Sequence, residues 1–426
     1  MTVPTGAGNS DTGPARARWL RPIGGALLLA FWLCLLFFPE HPAAHGVIAG
    51  LALAAAAAGV ARAESGWRRL RLVDAAPYIA YAVLLTIAWL VHVGDASTQD
   101  YLRQVCFLAT VWAVAENARG QAARWVVAVI VGLALIVAQI LGPHSVVDAL
   151  GRPLHYRSIQ QWSGYPEIGL LASLGGSACI AIALADRRWR VRLAALLLAT
   201  GFAAATIYLL SRFSLITMVL AGLWMAVVAA VAMRSRLGMM VLASGAVVVI
   251  GLVLLRAEFA DRLRAVFVDR SAAVSIRSEG WHIAEAMMRD HPLVGVGPGR
   301  FREESIRYVD MRTGERLHAY NLILHEGAEL GYLGLAAYLA MWARVLWRTL
   351  RTVRASRRAL DGVAALAAHG MLVAFLVRSQ SEHFLANLDA SFRMLLLLAF
   401  LFGLAESVGD AIDLRRNRAE HRAPWR

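Results

Sequence analysis

The chain alternates between long apolar runs and short polar connections. The runs lie at about residues 22–38, 44–61, 75–93, 103–118, 125–141, 167–185, 193–210, 214–233, 238–255, 327–347, 360–377 and 390–408. A run of roughly 20 apolar residues crosses a bilayer as a helix, because a helix satisfies its own backbone polar groups where no water can. The pattern therefore predicts an all-α, polytopic integral membrane protein of about 12 transmembrane helices. The fourth run is short and leaves a re-entrant segment open. Between the ninth and tenth runs the alternation fails: residues 256–326 form one long loop, too polar to cross over 256–320 and predicted to contain short helices. The organisation is thus nine spans in 1–255, the loop in 256–326, and three spans with a basic tail in 327–426.

Two patterns inside the loop stand out. Ile276 to Met288 has helical periodicity, with Ile276, Trp281, Ile283 and Met287 available for its apolar side. It stops at His291-Pro292, and the glycine-rich Val294 to Gly299 follows as a turn. At the loop's far end, projection at 100° per residue places His318, Asn321, His325 and Glu329 in one narrow stripe, opposite Gly327, Gly331 and Gly334. A polar stripe entering a membrane is expensive unless it faces protein or water. Histidines that merely cap or snorkel are the simpler alternative.

Charge sets the orientation. The 426 residues are 59% hydrophobic, with formal charge +14 carried entirely by arginine among the basic residues. An N-terminus in the cytoplasm puts Arg62 to Arg71, Arg187 to Arg192, Arg344 to Arg358 and the tail from Arg415 on the inner side, as the positive-inside rule requires. The long loop then faces outward, with eleven arginines offset by ten carboxylates in 256–320. Cys34, Cys106 and Cys179 are widely spaced in apolar runs and suggest neither a disulfide framework nor a metal site. Nothing resembles a cleaved signal, and no nucleic-acid partner is indicated.

Arg212 is the first candidate for chemistry. It stands between two spans with almost no loop, on the side where short connections otherwise avoid arginine. A snorkelling anchor explains it; so does an anchor for an anionic headgroup, since a guanidinium pairs bidentately with phosphate oxygens. Arg277 on the loop helix and Arg300 after the glycine turn follow on the same logic. His318 and His325 are candidate bases whose tautomer Asn321 or Glu329 can fix. No carboxylate pair stands ready to hold a metal.

These residues carry a resemblance. Arg277-x-x-x-Trp281, then His291-Pro-Leu-x-Gly-x-Gly-x-Gly-x-Phe301, then Asn321 with Gly331 and Gly334 at the family's spacing, resemble the O-antigen ligase/polymerase superfamily of bacterial membrane proteins. Ligase members transfer a glycan from undecaprenyl pyrophosphate to lipid A-core oligosaccharide. The resemblance implies an O-antigen ligase of the bacterial inner membrane with its site facing the periplasm, needing no cofactor or metal. It implies Arg212 and Arg277 on the donor pyrophosphate and a histidine as base, with Asn321, His325, Glu329, Arg300 and Tyr320 as substrate-binding candidates. One position departs: Tyr320 stands where the family has histidine, leaving His318, two residues earlier, or His325 as the base. A polymerase, a protein O-glycosylation ligase, or a transporter of an anionic lipid (the reading from a different class) are the alternatives.

Overall fold

The computed structural model describes residues 13–37, 72–141, 165–208, 211–244, 272–308, 318–356, 359–381 and 388–422, with 50–51, 54–55 and 57 in between. The described residues form helices and turns. In chain order the long helices among the described residues are α1 (Gly13–Phe37), α2 (Leu72–Val91), α3 (Asp95–Asn117), α4 (Ala122–Leu141), α5 (Tyr165–Ala185), α6 (Trp189–Tyr208), α7 (Arg212–Met233), α8 (Ala272–Asp290), α9 (Leu322–Ser356), α10 (Leu360–Arg378) and α11 (Leu388–Arg422). Helix α5, α6, α7, α9, α10 and α11 each contain a stretch long and apolar enough to cross a membrane; Pro22–Cys34, Ala75–Val91 and Ala122–Ala138 are shorter apolar segments. This is the polytopic all-helical architecture the hydropathy predicts. The expected spans at 44–61 and 238–255 and the connection at 142–166 fall largely outside the described residues.

Helix α5 and α11 sit at the centre. The apolar stretch of α11 is wholly buried, and α5 packs against α6, α7 and α10. Small residues allow this approach: a side chain at Gly175 would meet Phe202 of α6, and one at Gly176 would meet Met218 of α7. Helix α6 instead exposes Leu193, Leu196, Leu197 and Ile207, a contiguous apolar face that suits hydrocarbon and not water. Two clusters of buried polar groups along the spans are paired. Glu406 of α11 accepts from Tyr78 Oη at 2.9 Å and Arg344 Nε at 3.0 Å, with Arg348 Nη1 also 2.9 Å away. His369 of α10 accepts from Trp224 Nε1 at 3.0 Å and lies 2.7 Å from Thr349 Oγ1.

Three expectations are corrected. The fourth apolar run, expected at 103–118, belongs to a longer helix that starts at Asp95. The loop helix matches its expected position, but Trp281 is 38% exposed while Ile283, Ala284 and Met287 are buried, so the apolar side is narrower than predicted. The tenth span, expected as a continuous helix over 327–347, starts at Leu322 and breaks at Gly331, where φ is 70° and ψ −176°.

That backbone conformation is essentially confined to glycine. A Cβ at Gly331 would also lie 2.6 Å from the Leu293 carbonyl carbon and 2.7 Å from its oxygen. Gly331→Ala is therefore expected to displace the glycine turn and cost roughly 1–3 kcal/mol in backbone strain alone. Gly201→Ala is the control, because nothing lies within 4 Å of a Cβ there. Thermal unfolding of the two purified variants checks this, and equal midpoints would sink it.

Candidate active site

The break in α9 organises the site. A helix interrupted at Gly331 frees the carbonyls of the preceding turn, and buried carbonyls need donors. The glycine turn supplies them. Val296 N–H donates to Ala328 O at 2.9 Å and Gly297 N–H to Glu329 O at 3.0 Å, while Tyr332 N–H donates to Pro292 O at 2.8 Å. The Glu329 side chain completes the clamp: Oε2 accepts from Gly299 N–H at 2.9 Å and Oε1 from Phe301 N–H at 3.1 Å. The turn can lie this close because its glycines adopt positive φ at 295, 297 and 299. Side chains at Gly297 and Gly299 would strike His92 and Asp100, so the end of α2 and the start of α3 cover the turn's other side.

The histidine stripe is corrected by the same geometry. His318 to Asn321 precede the helix, and Tyr320 has φ of 48°. The helical projection that aligned His318 and Asn321 with His325 and Glu329 therefore does not apply to the first two. Asn321 caps α9: its Oδ1 accepts from the amides of Ile323 at 3.0 Å and Leu324 at 3.1 Å. His325 is enclosed, its Nε2 3.2 Å from Glu329 Oε1 and its ring 5.1 Å from that of Phe301.

His318 stands apart from this clamp. Its carbonyl abuts Gly280 of α8, where a Cβ would collide with it. Its half-buried ring meets the edge of Tyr320 at 6.2 Å between centroids. Burial pushes the imidazole down to about 4, the charges of His325 and Arg302 act the same way, and Glu329 opposes them. His318 is accordingly neutral at pH 7, with a lone pair available to accept a proton.

Arginine converges on the same place. The Arg277 guanidinium lies 5.6 Å from the Phe213 ring and 5.7 Å from the Tyr320 ring, and its Nε donates to Ser381 O at 3.0 Å. Phe213 follows Arg212, the first residue of α7. Segments far apart in sequence, around 212, 277 and 318–320, thus meet over two aromatic rings. Arg300 does not join them: its Nη2 is paired with Glu304 Oε1 at 2.7 Å.

Arg378 was not singled out from the sequence, yet it reaches the same Phe213 ring at 6.0 Å. The signal that marked Arg212, an arginine at the membrane edge of a span on the arginine-poor side, marks Arg378 equally. Among the described residues, no group of three or more His, Cys, Asp and Glu is arranged to hold a metal ion. The arrangement offers fixed cations, a neutral imidazole and aromatic faces at one end of a helix bundle, which suits an anionic ligand with an apolar anchor.

No curated protein matches the chain. Residues 195–339 match the family model described as O-antigen ligase. The matched segment contains α7, α8, the glycine turn and the broken start of α9, hence Arg212, Arg277, His318 and the Glu329 clamp. The match supports a function of the O-antigen ligase/polymerase type, glycosyltransferase-like and acting on lipid-linked glycans in general. Over residues 195–339, and with its membrane-spanning helices, the chain is thus similar to the O-antigen ligase family.

Proposed function

We propose that this protein is an O-antigen ligase of the bacterial inner membrane, which joins a glycan from undecaprenyl pyrophosphate to a sugar hydroxyl of lipid A-core at the periplasmic face. The observation that carries the reading is the meeting of Arg277 with Phe213, next to Arg212, and with Tyr320, two residues from His318. The acceptor hydroxyl oxygen attacks the anomeric carbon and the bond from that carbon to the pyrophosphate oxygen breaks. The electron pair leaves with undecaprenyl pyrophosphate, and the hydroxyl proton passes to His318. Arg212 and Arg277 stabilise the charge growing on the leaving group, the contribution expected of preorganised cations in a water-poor site. No metal is required in this scheme. Displacement in one step inverts the anomeric centre.

The test is transfer by the purified full-length protein in liposomes, from undecaprenyl-pyrophosphate glycan to rough lipopolysaccharide, in EDTA. Wild type is expected to form the glycoside with inversion, and Arg277→Ala to slow it about 10²–10³-fold. Chain growth on a second lipid-linked glycan instead would make the protein a polymerase. Movement of donor across the bilayer without bond formation would overturn the enzymatic reading in favour of a transporter.

A further inference from the structure

Arg378 ends α10 with only 2% of its surface exposed, and each of its contacts leads to a different part of the site. Its Nε donates to Ser214 Oγ at 3.3 Å, and Ser214 lies in the first turn of α7 behind Arg212 and Phe213. Its Nη1 donates to Ser381 Oγ at 2.8 Å, and the carbonyl of that same serine accepts Arg277 Nε at 3.0 Å. The adjoining Ser379 carbonyl accepts from Leu322 N–H at 3.0 Å, fixing the chain immediately after His318–Asn321. The Ser381 hydroxyl in turn donates to Arg378 O at 3.1 Å, which closes the turn on itself. Ser214 is held from the other side as well, its carbonyl accepting from Ser173 Oγ of α5 at 2.9 Å.

We propose that Arg378 is a positioning residue for glycan transfer: through the turn from Arg378 to Ser381 it sets the places of Arg212, Arg277 and the His318 segment, without itself touching substrate. The physical requirement is a planar, permanently charged fork. One guanidinium can donate in two fixed directions, to Ser214 and Ser381, while its face lies near Phe213; a lysine ammonium is a point charge on a flexible stem and cannot hold both hydroxyls at those angles. Its burial fits a brace better than a grip on a lipid headgroup.

The inference rests on the ligase reading, so its test has one arm that does not depend on turnover. Hydrogen exchange on full-length Arg378→Lys is expected to quicken in peptides covering 211–215, 277–283 and 318–324, and to stay at wild-type rates in α5. Unchanged exchange in those three segments overturns the proposal, whatever the activity. The second arm is a double-mutant cycle in the liposome transfer assay. Arg378→Lys is expected to reduce kcat about tenfold in the wild-type background, with donor KM within about twofold, but to cost threefold or less in Arg277→Ala, because residues that act through one another are not additive. Equal fold losses in both backgrounds would mean that Arg378 does not work through Arg277. A rise confined to donor KM would make it a direct ligand. Absence of any transfer by wild type, with the exchange pattern as expected, would remove the ligase reading and leave the brace standing.

Discussion

Replacing His318 by alanine is expected to slow glycan transfer by about 10³-fold, the scale of a lost general base, with the protein still folded. The fold should survive because the contact of His318 with α8 is made by its carbonyl at Gly280 and not by its ring. The pH profile adds a second reading of the same residue. The neutral imidazole is the active form, and in the folded protein it persists down to about pH 4. Transfer by wild type should therefore hold as pH falls through 6.5 and fade only as it approaches about 4. Stability follows the same sign: the folded value lies below the unfolded one, so the contribution is complete above about 6.5 and is lost as pH falls toward 4. Measuring kcat of wild type and His318→Ala from pH 4 to 8 checks both points. Retention of transfer in the variant to within about threefold would move the base elsewhere, with His325 next in line.

Removing the Glu329 carboxylate is expected to damage stability and transfer together. Glu329→Ala leaves the amides of Gly299 and Phe301 without their acceptor. Each unsatisfied buried N–H costs about 1–3 kcal/mol, and the contact with His325 Nε2 goes with them. Because the glycine turn is the donor for the freed carbonyls of Ala328 and Glu329, its loosening should propagate to the break in α9 and so to the segment bearing His318. Glu329→Gln keeps one acceptor oxygen and should fall between wild type and alanine. The measurement is amide exchange over 295–301 alongside thermal unfolding and transfer. Wild-type exchange in Glu329→Ala would show that the clamp does not hold the turn.

Much of this protein was legible from residue order. Apolar runs long enough for a bilayer specified helices such as α5, α7 and α10, because a buried backbone in hydrocarbon has no other partner than itself. The periodicity from Ile276 to Met288 located the loop helix, and arginine at a membrane edge pointed to Arg212. The glycine spacing from Gly295 to Gly299 announced a turn, but not what the turn would hold.

What residue order left open is where helix stops being the best choice for each residue. Local pattern carries His318 to Glu329 onward as one helix, and only partners brought from elsewhere make a break at Gly331 affordable. Those partners are the amides of Val296 and Gly297 and the carbonyl of Pro292, far along the chain in a loop whose docking no periodicity encodes. The same holds for the brace. Arg378 carries the same membrane-edge signal as Arg212, but Ser214 and Ser381 stand out by nothing in sequence, and the hydrogen bonds from Arg378 to both serines and from Arg277 to Ser381 exist only once α7, α8 and α10 meet at one end of the bundle. Residue order thus specifies which segments are helices and which residue types are candidates for chemistry. Folding alone brings Phe213, Arg277 and Tyr320 together, since hydrogen-bond and ring geometry is fixed by distance in space and not by distance along the chain.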